Sequence, residues 1–400
     1  MARNWTCGFE MNDACQADGE ITSVVGSPAT AAVARSGYRG LDTKVVLGAA
    51  QEYIIKKHTF PSGNKHWIRF YFEVATAPAA LTKIFEWSYN FFSATPYLSV
   101  RINSDRTLEF WDESGTATQI GSDTTALTKD TYYKIDVEND FNAGTAEMWV
   151  NDVSVASGSS LGNSQCNYLT LGIIDAAIAE FHFDDVAVND DTGSYENTRP
   201  KGGHVFVAMP AGDGDTQQGA RGGADSGSNW GQVDERPWND ATDYWTQRGS
   251  GTTTVFEVGG LSEATVWLQV YPKATPVLVH VGTRQMGDIA GRVCWYYVRI
   301  KSQSSGTLSE SAGEVISSAI WKTNKGSLAD RPYMLTQYTD PQSGGKWRRE
   351  HFGGMQIGCK RVDINLGNTK TTCLWIMGEV QDIGMDIIKT GGIIPWRRNL

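Results

Sequence analysis

A chain of 400 residues is longer than one hydrophobic core usually serves, so two domains are expected. With 40% hydrophobic and 20% charged residues, and with 43 Gly, 14 Trp, 15 Tyr and 14 Phe, the composition excludes a helical bundle and favours short strands joined by tight turns. A formal charge of −10 argues against a nucleic-acid-binding surface, and no run approaches the ~20 apolar residues of a membrane-spanning helix.

The first seven residues, Met1 to Cys7, lack an apolar run of signal-peptide length, so synthesis and initial residence in the cytoplasm are expected. From residue 52 to 189 apolar and polar residues alternate in short runs, at 52–57, 67–74, 83–87, 97–102, 107–111, 132–138, 146–150 and 178–188. Alternation of this length predicts half-buried strands. Turn formers such as Asn103-Ser104-Asp105, Asn142-Ala143-Gly144 and Asn151-Asp152 separate them, as antiparallel hairpins require. Residues 1–192 are therefore read as one β-sandwich. Residues 193–202 lose the alternation and gather Gly, Ser, Asn and Pro, which marks a linker.

Alternation resumes at 204–209, 254–258, 264–271, 277–281, 293–300, 314–321, 333–338 and 371–377, predicting a second sandwich over 203–381. Within it, residues 211–225 are Gly-rich and polar and are expected to form a long exposed loop. Residues 382–400 carry Ile387, Ile388, Ile393, Ile394 and Trp396 on a short tail. Exposed alone, that apolar segment would be a liability, so docking on neighbouring subunits is expected.

The candidate chemistry is sparse. Asp136, Glu138 and Asp140 alternate along one expected strand and so share a face, about 7 Å between neighbours. Two carboxylates at such spacing are what glycoside hydrolysis needs, but a solvated outer face, shared with Lys134, is the favoured reading. Asp184-Asp185, Asn189-Asp190-Asp191 and Asp213-Gly214-Asp215 offer hard oxygen ligands without the full spacing of a calcium loop, so solvated turns or caps are expected rather than a calcium site. The six cysteines, Cys7, Cys15, Cys166, Cys294, Cys359 and Cys373, contain no CxxC pair. Buried free thiols are the expectation; a Cys7–Cys15 loop closure is the alternative. His182 alternates with Phe181 and Phe183 and reads as a packing residue. No motif supports a catalytic residue, a metal site or a cofactor.

Two aromatic clusters are candidate contact surfaces. Trp87, Tyr89, Phe91, Phe92 and Tyr97 bracket one loop, where they either present a sugar-stacking or docking surface or plug the end of the sandwich. Trp230, Trp238, Tyr244 and Trp245 surround the second, with subunit contact placed ahead of glycan because interfaces favour Trp and Tyr.

The N-terminal half resembles the laminin-G/concanavalin A-like domains that phages carry in tail, fibre and capsid-surface proteins. The resemblance rests on Gly8-Phe9-Glu10, on 36–41 (Ser-Gly-Tyr-Arg-Gly-Leu), on 97–103, on the hairpin 132–138 to 147–151, and on the closing 178–188. Where that family often places Gly after the hairpin Asn, this chain has Asp152. The C-terminal half, through 230–244, 256–261, 340–347 and 358–362, resembles a second module that follows such domains in phage structural proteins. Together they imply an all-β chain of two jelly-roll-like sandwiches, the first concanavalin A-like. They also imply a non-enzymatic virion component, assembled in the host cytoplasm, whose partners are other virion proteins and copies of itself. A carbohydrate-binding adhesin or decoration module for host-surface glycan is the alternative, and a glycan depolymerase the more distant one.

Overall fold

The computed structural model describes residues 3–9, 21–33, 35, 40–58, 65–89, 96–159, 161–162, 166–223, 227–234, 243–248, 251, 253–259, 275–288, 294–303, 306–316, 322–323, 335–352, 354–363 and 368–381. The architecture is all-β, as expected, and comprises two β-sandwiches. Among the described residues no helix is long and apolar enough to cross a membrane.

Two long antiparallel strands organise the first sandwich. Tyr168–Asp190 pairs near its start with Thr82–Ser88 and over its second half with Lys65–Thr76, while Gly40–Lys57 runs along both halves. One layer continues from Thr82–Ser88 through Pro96–Ile102, Leu108–Asp112 and Thr118–Ile120. The other continues from Lys65–Thr76 through Tyr133–Asp140, Thr145–Val150 and Val153–Ser159. The layers meet through alternating inward residues: Phe70 stacks on Phe85 across them at 5.7 Å, and Leu98, Val100, Phe110, Ile135 and Val137 are fully buried. Asn151 and Asp152, with φ of 49° and 66°, form the hairpin turn in the left-handed conformation that matches strand twist, so Asp152 stands where glycine would be unstrained.

In the second sandwich the strand Gly203–Gln217 also serves two layers, pairing first with Thr369–Gln381 and then with Thr253–Gly259. Trp245 meets Phe256 edge-on at 5.7 Å across the core. Much of the segment expected to be a loop at 211–225 is strand instead: residues up to Gln217 continue the pairing, and Ala220–Gly223 pairs with Asp243–Gln247. The glycines there permit close approach between strands. A Cβ on Gly214 would lie 2.6 Å from the Val255 carbonyl oxygen.

The two sandwiches meet through buried contacts. Val205, Val207, Met209, Trp375 and Met377 form an apolar cluster on the side of their layer away from its own core, and Val205 packs beneath Gly8. Beside it Glu379, with no exposed surface, accepts from Arg3 and from Arg69 Nη1, the latter at 2.7 Å. Arg69 also donates to the carbonyls of Asp185 and Lys201, and Arg3 to Glu196 at 2.9 Å. Burial alone would raise the Glu379 carboxyl, but the two guanidinium groups outweigh it and hold it below its ordinary range. Asp184 and Asp185, expected in a solvated turn, are corrected by this geometry. Both are fully buried, Asp184 accepting from the Arg35 amide and Asp185 from the Arg35 side chain and the Val205 amide. Asp190 does act as a local cap, accepting from the Thr192 amide, and Asp215 is paired with Lys301.

Cys7, Cys166, Cys294, Cys359 and Cys373 are buried, as expected; Cys15 lies outside the described residues.

Candidate functional site

The outer side of the layer built on Pro96–Ile102 gathers a dense polar cluster, in which Glu109 and Glu113 are nearly buried and Arg101 and Trp111 are partly exposed. Strand alternation sends Leu98, Val100 and Ile102 into the core and leaves Ser99 and Arg101 on the other face. In the neighbouring strand Leu108 and Phe110 point inward and Glu109 and Trp111 outward. The register aligns Glu86, Ser99 and Trp111 in one row across the sheet, and Lys83, Arg101 and Glu109 in the next.

These rows are locked together. The Arg101 guanidinium lies 4.2 Å above the Trp111 ring centre and donates to Glu113 Oε1 at 2.6 Å, which also accepts from the Ser99 hydroxyl at 2.5 Å. Trp111 Nε1 donates to Glu109 Oε2 at 2.7 Å, and Asn103 holds the other carboxylate oxygen at 2.5 Å. Lys83 pairs with Glu86 at 3.3 Å. Burial raises the Glu86 carboxyl above its ordinary range, against the nearby Lys83 ammonium, and Glu86 in turn adds to the burial that raises the Tyr53 phenol. Three carboxylates against two cations leave this face net acidic. A planar guanidinium on an indole, flanked by fixed acceptors, offers a rigid apolar-and-polar platform suited to a ligand rich in hydroxyls. It repels an anionic one.

The aromatic candidates divide. Tyr89, 45% exposed, leads off the end of this layer, and Tyr97 is half-buried against the core at the start of its strand. Trp87 is corrected: it is fully buried beside Phe85, because inward alternation in Thr82–Ser88 places it in the core. Trp245 is corrected for the same reason, lying 2% exposed with Nε1 donating to Thr254. Trp230 packs partly buried on the second core, and Tyr244 lies beneath the Lys370 ammonium at 4.4 Å. Phe91, Phe92 and Trp238 fall outside the described residues, as do Ile387, Ile388, Ile393, Ile394 and Trp396.

The acidic row is corrected too. Asp136, Glu138 and Asp140 do share a face, but Asp136 is fully buried rather than solvated, with Lys134 at 3.3 Å and Arg199, from the connecting segment, at 3.5 Å. Burial outweighs both cations and pushes its carboxyl up to about 6. Glu138 accepts from Lys65 and from Trp67 Nε1, and Asp140 lies 3.3 Å from the same Lys65. Each carboxylate is thus held by a structural cation.

Sequence reading missed Arg101, Trp111, Glu109, Glu113 and Glu86. The signal was present in the outward positions of three successive strands and in Glu113 just past the last, but their row alignment depends on register, which alternation does not supply.

No protein-family model matches the chain, and no curated protein does. Among solved structures it is similar to domain 4 of AbnA, a GH43 extracellular arabinanase from Geobacillus stearothermophilus solved with arabinotriose, at 15% identity and TM-score 0.35, covering 47% of this chain and 93% of that one. It is similar to the carbohydrate binding module CBM66 from Bacillus subtilis at 11% identity and TM-score 0.31, covering 42% and 97%. It is similar to the alginate lyase vAL-1 from Chlorella virus at 9% identity and TM-score 0.35, covering 43% and 93%. At these scores and identities the likenesses assign neither ligand nor activity to the chain.

Proposed function

We propose that the chain is a non-catalytic binding protein that takes a neutral saccharide on the face built by Arg101, Trp111, Glu109, Glu113 and Glu86. The observation that carries this reading is the Arg101–Trp111 platform, fixed at 4.2 Å and flanked by carboxylates that can accept from sugar hydroxyls. The acidic balance of the face favours neutral glycans over uronic or sialic acids. A glycan array followed by calorimetry tests it: binding of neutral glycans that weakens in Trp111→Ala supports the reading, and a blank array at millimolar ligand ends it.

A second reading, a subunit of a larger protein assembly, rests on an exposed apolar ridge where the long pair Gly40–Lys57 and Tyr168–Asp190 bends. There Val46, Leu47 and Ile178 are 63%, 88% and 46% exposed. Apolar side chains grouped in the open are usual at protein contacts. Sedimentation velocity of the full chain decides it: a closed oligomer that Leu47→Asp dissociates supports a building block, and a monomer at every concentration removes it.

A further inference from the structure

The other layer of the first sandwich carries a second constellation. Strand register sets Asp42 directly opposite His182, and His182 directly opposite Glu73, in three adjacent strands. Glu180 lies two residues before His182 and therefore on the same face, opposite Lys44. Phe181 and Phe183 fill the core, which leaves His182 pointing outward into this group of acids.

The details ask for a cation. His182 Nδ1 meets Glu73 Oε1 at 2.8 Å, which orients the ring and leaves Nε2 facing Asp42 Oδ1 and Glu180 Oε1, each 3.7 Å away. The three ligand atoms all lie within 4.8 Å of one another. His182 is 6% exposed, and both its Nε2 and Asp42 Oδ1 are buried without a hydrogen-bond partner. In the neutral ring, with Nδ1–H donated to Glu73, Nε2 presents a lone pair, so three electron-rich atoms converge on one point. Leaving buried polar atoms unsatisfied is costly, and a bound positive charge would satisfy the His182 and Asp42 atoms while taking the place of Lys44 at Glu180 Oε1.

We infer that Asp42, Glu180 and His182 form a binding site for a divalent transition metal of the zinc class, with Glu73 positioning the histidine. The donor set is one imidazole nitrogen and two carboxylate oxygens with an open fourth position, which suits zinc better than calcium, a cation that wants six to eight oxygens. Zinc bonds of ~2.1 Å give a tetrahedral edge of about 3.4 Å, so the two 3.7 Å edges contract by only a few tenths of an ångström. The contact from Glu73 to the distal ring nitrogen is the usual outer-sphere partner of a metal-bound histidine. Lys44 now lies 2.8 Å from Glu180 Oε1, and its half-exposed ammonium can swing into water as the metal arrives. The Asp42 and Glu180 side chains are about one-fifth exposed, which gives the ion a path from solvent.

The test is calorimetric titration of the full chain, freed of metal with chelator, against ZnCl2, with CaCl2 and MgCl2 as comparisons. Saturable 1:1 zinc binding is expected. His182→Ala and Glu180→Gln should each weaken it at least tenfold, Glu73→Gln about tenfold through the ring it orients, and Lys44→Ala should strengthen it. Should His182→Ala fail to fold, the half-buried Glu180 and Glu73 variants read the same site. Absence of saturable zinc binding, or an affinity unchanged in both Glu180→Gln and Glu73→Gln, overturns the site and leaves the trio as proton-bridged ion pairs. The site lies on the opposite layer from Trp111, so its failure leaves the saccharide reading untouched.

Discussion

Arg69 and Arg101 both project from the outer side of a strand in the first sandwich, both lie near an aromatic ring, and both meet a glutamate. Arg69 sits 5.9 Å from the Tyr71 ring centre and 2.7 Å from Glu379; Arg101 sits 4.2 Å from Trp111 and 2.6 Å from Glu113. Their surroundings differ completely. The Arg69 partner comes from 310 residues away in the other sandwich and both groups are sealed from solvent, whereas the Arg101 partner is 12 residues on and the guanidinium keeps 17% of its surface open. A charged cluster closed by a distant segment serves the fold. One completed locally leaves its face available to a ligand.

The sharpest way to break this comparison is at Glu379. Glu379→Ala leaves the buried Arg69 without its carboxylate and Arg3 with Glu196 alone, and should cost about 3 to 5 kcal/mol, read as a lower urea midpoint; a loss below ~1 kcal/mol would show that water reaches the junction. The same group sets an acid limb. Its folded carboxyl is held below the ordinary value of 4.5, so its stabilisation is complete above that value and is lost as pH falls through the lowered one. Unfolding midpoints measured across that range should decline in the parent chain and flatten in Glu379→Gln.

On the open face the expected effects are smaller and fall on binding. Trp111→Ala should weaken neutral-saccharide affinity about tenfold, or ~1.4 kcal/mol, while moving the urea midpoint far less than Glu379→Ala. Equal losses of stability and affinity would place Trp111 among the structural groups and remove the distinction.

Much of the architecture was legible in alternation. The runs at 97–102 and 107–111 became strands whose inward residues are Leu98, Val100, Ile102, Leu108 and Phe110. The strand Gly203–Gln217 was not legible past Pro210, because its glycines serve close strand contact, a reason that local propensity cannot express. The sites were less legible than the fold. That Glu180 and His182 share a face follows from their spacing, but the meeting with Asp42, about 140 positions earlier, is a matter of register between long strands. Trp87 misled for a related reason: aromatic residues near a turn signal either a surface or a core, and only the phase of the alternation, shifted here by a bulge between Lys83 and Phe85, decides which.

Arg199 supplies the intermediate case. It belongs to the connecting segment, covers Trp149 at 4.6 Å and pairs with Asp136 at 3.5 Å and Asp152 at 3.3 Å, yet its side chain stays 30% exposed. Asp136 keeps Lys134 if Arg199 is removed, so no buried charge is left alone. Arg199→Ala should therefore cost less than ~1 kcal/mol, as half-open ion pairs and exposed cation–π contacts usually do. The urea midpoint measures it, and a double variant with Glu379→Ala should be additive within about 0.5 kcal/mol. Clear non-additivity would mean that the connecting segment and the Arg69–Glu379 junction act as one unit, extending the sealed region across the whole outer side of that layer.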